Sequence, residues 1–361
     1  MPSITDIFRQ YGGDYLKRFA RNILQSHRKA IEAILACRTS EMDGCVMGCP
    51  ACGEECFHPF SCGNRACPNC HEAKRYRWLE KRRAELLPGV TYFHVVFTIP
   101  AQYREFARSH QKEFLPLLFS AAVDSLNTLA ADPKHLGGRI GMLSVLHTWT
   151  RTLQYHPHVH MLIPGIALLP DRSFKVKDSF LVPIGPLRTL FRAKFITKLK
   201  HTFPGATLPY IDPKKKWNVY IKESSSNPDR VLNYFARYIY GQAIDNSRIV
   251  SLNNDQVTFS YKRDQVRRTM TLPAFEFLRL YLQHTLPKRF HRVRAYGLWH
   301  SAYRHITSEF RLLLYNRSGQ PAPAPPKPRP HCVPCPRCAT PMIITRNFVT
   351  YSTFIRLSRP P

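Results

Sequence analysis

Tyr155-His156-Pro157-His158-Val159-His160-Met161-Leu162-Ile163-Pro164-Gly165 is a strand-like stretch in which three imidazoles alternate with other residues and then give way to an apolar run. Along an extended chain residues i, i+2 and i+4 point to one face. His158 and His160 therefore share a face and can offer two ring nitrogens to one divalent cation. Just upstream, residues 139 to 150 read as a second strand separated by a short polar stretch. The pair predicts a hairpin that delivers the histidines to the centre of a sheet.

Outward from this hairpin, Thr91-Tyr92-Phe93-His94-Val95-Val96-Phe97-Thr98-Ile99 is β-branched and aromatic and stops at Pro100, the mark of a buried strand. Residues 104 to 131 read as one long helix, 186 to 200 as a basic amphipathic helix and 217 to 221 as a strand. Pro228 opens a helix that runs to Tyr240. Residues 247 to 252, 256 to 261 and 267 to 272 predict a three-stranded meander, followed by a helix from Pro273 to about His284. This order predicts an α+β fold with an antiparallel sheet and flanking helices.

At the N-terminal side, residues 5 to 37 carry apolar positions at helical spacing and read as two short helices broken near Gly12-Gly13. A cysteine-rich, loop-like segment from Cys45 to Cys70 follows, then a basic helix from Glu72 to Leu87 closed by Pro88-Gly89. Residues 319 to 336 are dense in proline and read as an extended linker to a small cysteine-bearing tail. The expected division is thus a helical and zinc-binding docking module over 1–90, a core over 91–318, and a linker with its tail over 319–361.

Lys and Arg number 53 against 24 Asp and Glu, a formal net charge of +29. Self-repulsion of that size is relieved by a polyanion, which makes nucleic acid the expected partner. No uncharged apolar run approaches the roughly 20 residues that cross a bilayer, and Met1 to Arg9 lacks the basic-then-apolar order of a signal peptide. The expectation is a cytoplasmic protein with no membrane partner. Ten of the eleven cysteines fall in two tight groups, which suits metal ligation better than disulfides in that compartment.

Cys49-Pro-Ala-Cys52 and Cys67-Pro-Asn-Cys70 are two knuckles separated by 14 residues, a spacing that predicts one shared structural Zn²⁺ held by Cys49, Cys52, Cys67 and Cys70. Cys45, Cys56 and Cys62 are then surplus and read as small buried side chains. The adjacent Lys74, Arg75, Arg77, Lys81, Arg82 and Arg83 would make the module a DNA clamp. In the tail, Cys332, Cys335 and Cys338 fit a second zinc with His331, free thiols, or a site completed in a dimer, and the spacing alone does not choose.

Tyr234-Phe235-Ala236-Arg237-Tyr238 places two phenols four residues apart, on one helical face and about 6 Å apart along the axis. Alone, a His-x-His pair or a tyrosine pair is ordinary core material. Together, in a strongly basic chain with zinc knuckles, they suit covalent attack on phosphorus assisted by Mg²⁺ or Mn²⁺. The chain resembles the HUH-type rolling-circle transposases of the insertion-sequence 91 group. The resemblance rests on Ser61 to Cys70, on Phe93 to Pro100, on Val145-Leu146-His147-Thr148-Trp149 leading to His156-Pro157-His158-Val159-His160, on Tyr234 to Tyr238, and on the late block Leu286 to Gly297.

What the resemblance implies is an HUH nuclease core that cuts and rejoins single-stranded DNA at element ends through a 5′-phosphotyrosine. Tyr234 and Tyr238 match the nucleophile pair, and His158 and His160 match the metal-binding histidines. A third ligand is expected, and His156, His94 and His147 are all open candidates. Without a Gly-x-x-x-x-Gly-Lys-Ser/Thr loop, unwinding is left to a host helicase. Lys288, Arg289, Arg292 and Arg294 in the late block are candidate phosphate contacts, beside Arg75, Arg77 and Arg82. The rival readings are a replication initiator or relaxase of the same chemistry, and a non-catalytic zinc-knuckle DNA-binding protein.

Overall fold

The computed structural model describes residues 2–70, 78–79, 82, 85–179, 181–224, 227–318 and 333–357, and the chain divides into two compact units. One comprises Met1–Lys74, Ile244–Thr285 and Pro326–Pro361; the other comprises Arg75–Ala243 and Leu286–Pro325. In chain order the first elements are α1 (Ile4–Arg18), α2 (Gln25–Ala36), β1 (Gly44–Gly48), β2 (Glu55–Pro59), β3 (Tyr92–Thr98), α3 (Arg104–Ser109) and α4 (Gln111–Ala131). There follow β4 (Arg139–Trp149), β5 (Tyr155–Pro164), β6 (Ile166–Leu168), β7 (Phe174–Val176), α5 (Ile184–Thr202), β8 (Asn218–Glu223) and α6 (Pro228–Tyr240). The remainder is β9 (Ile249–Asn253), β10 (Gln256–Arg263), β11 (Val266–Pro273), α7 (Ala274–Leu282), β12 (Val293–Gly297), α8 (Arg304–Ser318), β13 (Ile343–Val349) and α9 (Tyr351–Leu357).

The larger unit is an antiparallel sheet in the order β7-β6-β4-β5-β3-β8, with β12 paired to β4. The α+β class and the central histidine strand agree with the sequence reading. Strand alternation splits the side chains of β3, β4 and β5 between two covered faces. Phe93, Val95, Phe97, Met142, Leu146, Val159, Met161 and Ile163 join Phe114 and Phe119 of α4, Phe191 and Phe195 of α5, and Trp217 in the main core. On the other face Tyr92, Leu143, Val145 and Leu162 pack against Val231, Leu232, Phe235 and Ile239 of α6. At about 1.5–3 kcal/mol for each large apolar side chain taken out of water, both faces contribute heavily. This explains why β5 reads as continuously apolar beyond the histidines. Gly297 closes β12 at φ +57°, where a Cβ would fall on the carbonyl of Ile140. The late block therefore ends in glycine for a steric reason.

The predicted long helix is broken at His110 (φ −121°, ψ 39°) into α3 and α4. Gln111–Ala131 is long and apolar enough to cross a membrane by length and composition, yet Phe114, Leu115, Leu118, Phe119 and Leu126 are buried within the core.

The smaller unit holds two three-stranded sheets, β13-β1-β2 and the predicted meander β11-β10-β9. Its α1 opens with a capping box: Ser3 Oγ accepts from the Asp6 amide, and the Asp6 carboxylate accepts from the Ser3 amide. These bonds hold the Asp6 carboxyl below its usual range. Tyr281 of α7 donates to the carbonyl of Ala66 at 2.6 Å and packs edge-on against Phe8 of α1. The segment read as a cysteine-rich loop is thus strand-forming, with β1 and β2 antiparallel from Gly44↔Pro59 to Gly48↔Glu55. Whereas the sequence divisions ran consecutively along the chain, the meander and the tail belong to the same unit as the N-terminal residues.

Candidate active site

Register across three strands gathers the histidines. His158 of β5 lies opposite His147 of β4 and Thr98 of β3, and His160 lies opposite Val145 and Val96. Opposed residues in an antiparallel ladder share a face, and this face is the one that α6 covers. His147, His158 and His160 each bring a ring nitrogen within 4.8 Å of the other two, a cluster that can hold a metal ion. Of the three histidines that the sequence left open, His147 is the one grouped with His158 and His160.

Hydrogen bonds orient the rings. His147 Nε2 donates to the backbone carbonyl of Tyr238 at 2.6 Å, which leaves Nδ1 free, and His158 Nδ1 donates to the carbonyl of His156 at 2.8 Å, which leaves Nε2 free. His160 Nδ1 lies 2.8 Å from His94 Nε2. Such outer contacts fix the tautomer and aim a ligand. Burial pushes the pKa of His158 down to about 4 and those of His147 and His160 well below the usual imidazole range. All three are neutral at pH 7, the form a metal requires. His156 does not join them: Nε2 donates to the carbonyl of Ile99 at 2.8 Å and Nδ1 sits 2.9 Å from an Arg104 guanidinium nitrogen. With both nitrogens engaged it has no lone pair to offer an ion.

The tyrosine helix is built to face this cluster. Asn227 caps its N-terminus by accepting from the Arg230 amide at 3.1 Å, with Pro228 in the first turn. Val231, Phe235 and Ile239 bury one side, and Tyr234 and Tyr238 stand half-buried beside them. Tyr234 Oη is 3.0 Å from His94 Nδ1, and Tyr238 Oη donates to Tyr234 Oη at 3.0 Å. The chain of contacts is continuous from Tyr238 through Tyr234 and His94 to His160. Burial drives the Tyr234 phenol above its usual pKa, with the Tyr238 bond adding to the rise. Burial, with the positive charge of Lys222, lowers His94 to about 4. Lys222 lies directly opposite His94 on β8 and, with Tyr220 two residues before it, faces the same side. Sequence reading passed over both, although period-two alternation along β8 was the available signal.

The cysteines do not form the expected single site. Cys37, Cys62, Cys67 and Cys70 make one group of four sulfurs and Cys49, Cys52, Cys335 and Cys338 another. The two knuckles are thus separated, each completed by other cysteines. Cys62, expected as a surplus buried thiol, lies 3.5 Å from Cys70 Sγ, and Cys37 lies 3.4 Å from it. Hydrogen bonding from Cys67 pulls the Cys62 thiol down to about 5 and drives Cys67 up in return. Cys45 and Cys56 stay outside both groups, as expected, and Cys332 and His331 lie outside the described residues. Four thiolates with no open position suit structural zinc.

Of the basic candidates, Arg75 and Arg77, with Lys74, Lys81 and Arg83, lie outside the described residues. Arg82 is ion-paired to Glu85 and lies 5.9 Å over the Trp78 ring. Lys288 and Arg289 are exposed. Arg292 turns inward: its guanidinium donates to the carbonyls of Ile239 and, at 3.1 Å, of Gly241. It caps the C-terminus of α6, where a cation also complements the helix dipole. Arg294 stacks over Phe119 at 4.3 Å and Phe290 at 5.1 Å.

Comparison with known proteins agrees with this geometry. Residues 141–306, which contain the three clustered histidines and both tyrosines, match the family model described as "Putative transposase". Residues 7–99 match "Transposase zinc-binding domain". The sequence is 37% identical over 348 residues to "Putative transposase y4qJ" of Sinorhizobium fredii (strain NBRC 101917 / NGR234), covering 90% of this chain and 86% of the relative. It is 25% identical over 290 residues to "Transposase for insertion sequence element IS801" of Pseudomonas savastanoi pv. phaseolicola, covering 74% and 69%. No solved structure matches the chain. Both matched segments and the length of the first alignment point the same way: the chain belongs to the insertion-sequence 91 family of transposases, DNA-processing enzymes with an N-terminal zinc-binding domain.

Proposed function

We propose that this transposase nicks and rejoins single-stranded DNA at element ends through a 5′-phosphotyrosine, with Tyr234 as first nucleophile and Tyr238 as second. The observation that carries the reading is the unbroken run of contacts from Tyr238 through Tyr234 and His94 to the clustered histidines. His147 Nδ1, His158 Nε2 and His160 Nε2 would hold a divalent cation, which when bound supplies positive charge against a phosphoryl oxygen. Three imidazoles without a carboxylate suit Mn²⁺ better than Mg²⁺, which prefers oxygen ligands.

Hydrogen-bond polarity supports the order of the tyrosines. A ligand role for His160 Nε2 leaves its proton on Nδ1, so it donates to His94 Nε2. His94 then carries its proton on Nδ1 and donates to Tyr234 Oη, which also receives the Tyr238 hydroxyl. Tyr234 Oη is thus the acceptor of both bonds while Tyr238 donates, and the positive charge of Lys222 works against the rise that burial and the Tyr238 bond impose on the Tyr234 phenol. Tyr234 Oη, its proton lost to water, attacks phosphorus. The phosphorus–O3′ bond breaks, and the departing oxygen takes up a proton as a free 3′-hydroxyl. The ester retains the energy for rejoining, so no nucleotide cofactor is needed. A host helicase would supply the single strand.

Covalent trapping tests this. Purified protein and Mn²⁺ are incubated with single-stranded oligonucleotides covering the element ends, then analysed by denaturing gel and peptide mass mapping. The expected result is an adduct on Tyr234 in wild type and in Tyr238→Phe, and none on first cleavage in Tyr234→Phe. An adduct on Tyr238 alone reverses the order, and none at all with DNA binding intact overturns the nuclease reading.

A further inference from the structure

The two cysteine knuckles of the second cluster are built alike although they lie at opposite ends of the chain. In Cys49-Pro50-Ala51-Cys52-Gly53-Glu54 the Cys49 amide donates to the Glu54 carbonyl at 2.8 Å and the Gly53 amide to the Cys49 carbonyl at 3.0 Å. In Cys335-Pro336-Arg337-Cys338-Ala339-Thr340 the Cys335 amide donates to the Thr340 carbonyl at 2.9 Å and the Ala339 amide to the Cys335 carbonyl at 2.9 Å. The fifth residue of each is left-handed, Gly53 at φ +73° and Ala339 at φ +60°. Glycine adopts that conformation freely, while in alanine the Cβ crowds the neighbouring carbonyl oxygen. The tail knuckle is therefore held in a strained turn by its surroundings.

Those surroundings offer little besides sulfur. The local core consists of Cys45, Met47, Cys49, Cys335 and Met342, with a few half-buried neighbours. So small an apolar cluster rarely fixes a fold without a metal or a covalent link. Cys49 and Cys338 sulfurs are 3.5 Å apart, and Cys52 lies 3.6 Å from Cys335 and from Cys338. Four sulfurs around a tetrahedral ion at a bond length of about 2.3 Å sit roughly 3.8 Å from one another. Each knuckle also leads into the same sheet, since β13 pairs with β1 from Gly44↔Val349 to Gly48↔Ile343.

We propose that Cys49, Cys52, Cys335 and Cys338 bind a second structural zinc ion, closing a zinc ribbon whose two halves come from the two ends of the chain. The segment matched as a zinc-binding domain, residues 7–99, contains only two of these four ligands. On binding, the four thiols release their protons and coordinate as thiolates, with no change of oxidation state. The tail is thereby a component of the N-terminal module.

The test is zinc content per chain, by mass spectrometry of the elements, on the full-length protein. Wild type and Cys45→Ser should carry two ions, and Cys335→Ser/Cys338→Ser and Cys67→Ser/Cys70→Ser one each. Cys338→His, which keeps a nitrogen ligand, should retain two. Trypsin should cut at Arg346 in the serine tail variant and spare it in wild type. One zinc in wild type, two in the tail variant, or an oxidised pair among these four cysteines without zinc would overturn the proposal. If the tail variant is insoluble, cobalt titration of wild type decides, with two equivalents of tetrahedral thiolate absorption expected and one overturning it.

Discussion

Around His160 the proposed ligands stand on strands of a sheet packed on both faces by large apolar side chains, whereas around Cys49 the proposed ligands emerge from tight turns with a handful of small buried residues between them. The first centre is arranged by the fold and is ready for an ion. The second, on the proposed ligation, is a fold that the ion would help to make. One is positioned by burial of apolar area and the other by ligation, so removing metal should affect them in different ways.

Chelation is the strongest way to break that contrast. Structural zinc in small modules is worth on the order of 10 kcal/mol. Stripping it should expose residues 37–70 and 333–349 to complete hydrogen exchange while 92–98 and 155–164 stay protected. Equal exposure of both regions would show that the sheet does not stand on its own core. Next in size is His147→Ala. Several kcal/mol of charge stabilisation correspond to on the order of a thousandfold in rate, so strand cleavage and Mn²⁺ binding should collapse together, while His156→Ala keeps cleavage within about tenfold. Comparable losses in the two variants would return His156 to the metal site.

Arg292→Ala should cost about 2 kcal/mol in urea unfolding, the range for hydrogen bonds to a charged group, because the last carbonyls of α6 lose their donor. It should also lower the yield of adduct on Tyr234 without altering the salt dependence of DNA binding. A reduced salt slope would instead make Arg292 a phosphate contact. The smallest effect belongs to Lys288→Ala/Arg289→Ala, where loss of two phosphate contacts to a single strand lowers the slope of log affinity against log salt by about 1.4. An unchanged slope would leave both side chains solvated.

How far the molecule could be read from its sequence follows the same contrast. His158 with His160, and Tyr234 with Tyr238, were legible because the spacing within one strand or one helix is fixed by backbone geometry. His147 and His94 were visible only as histidines on strands, since their placement depends on register between strands, and the β4–β5 ladder shifts between His147 and Trp149. Counting residues does not reveal such a shift. The cysteine pairing failed for a related reason. Two knuckles 14 residues apart satisfy the spacing rule for one ion, yet the chain between them forms β2 and carries each knuckle to a different partner. Arg292 looked like a surface cation because nothing local announces that the end of α6, some 50 residues earlier, needs a cap.

In the smaller unit β1 is the middle strand, with β2 on one side and β13 on the other. During synthesis β2 follows β1 at once, but the far edge of β1 has no neighbour until the ribosome has added about 300 further residues, from Gly48 to Val349. At about 5–20 residues per second that is a wait of roughly 15 to 60 s. Throughout it a bare strand edge is open to pairing with any other chain. A chain that has not yet reached β13 therefore differs from one that has at the outer edge of β1, and pairing of β13 is the step that closes that edge.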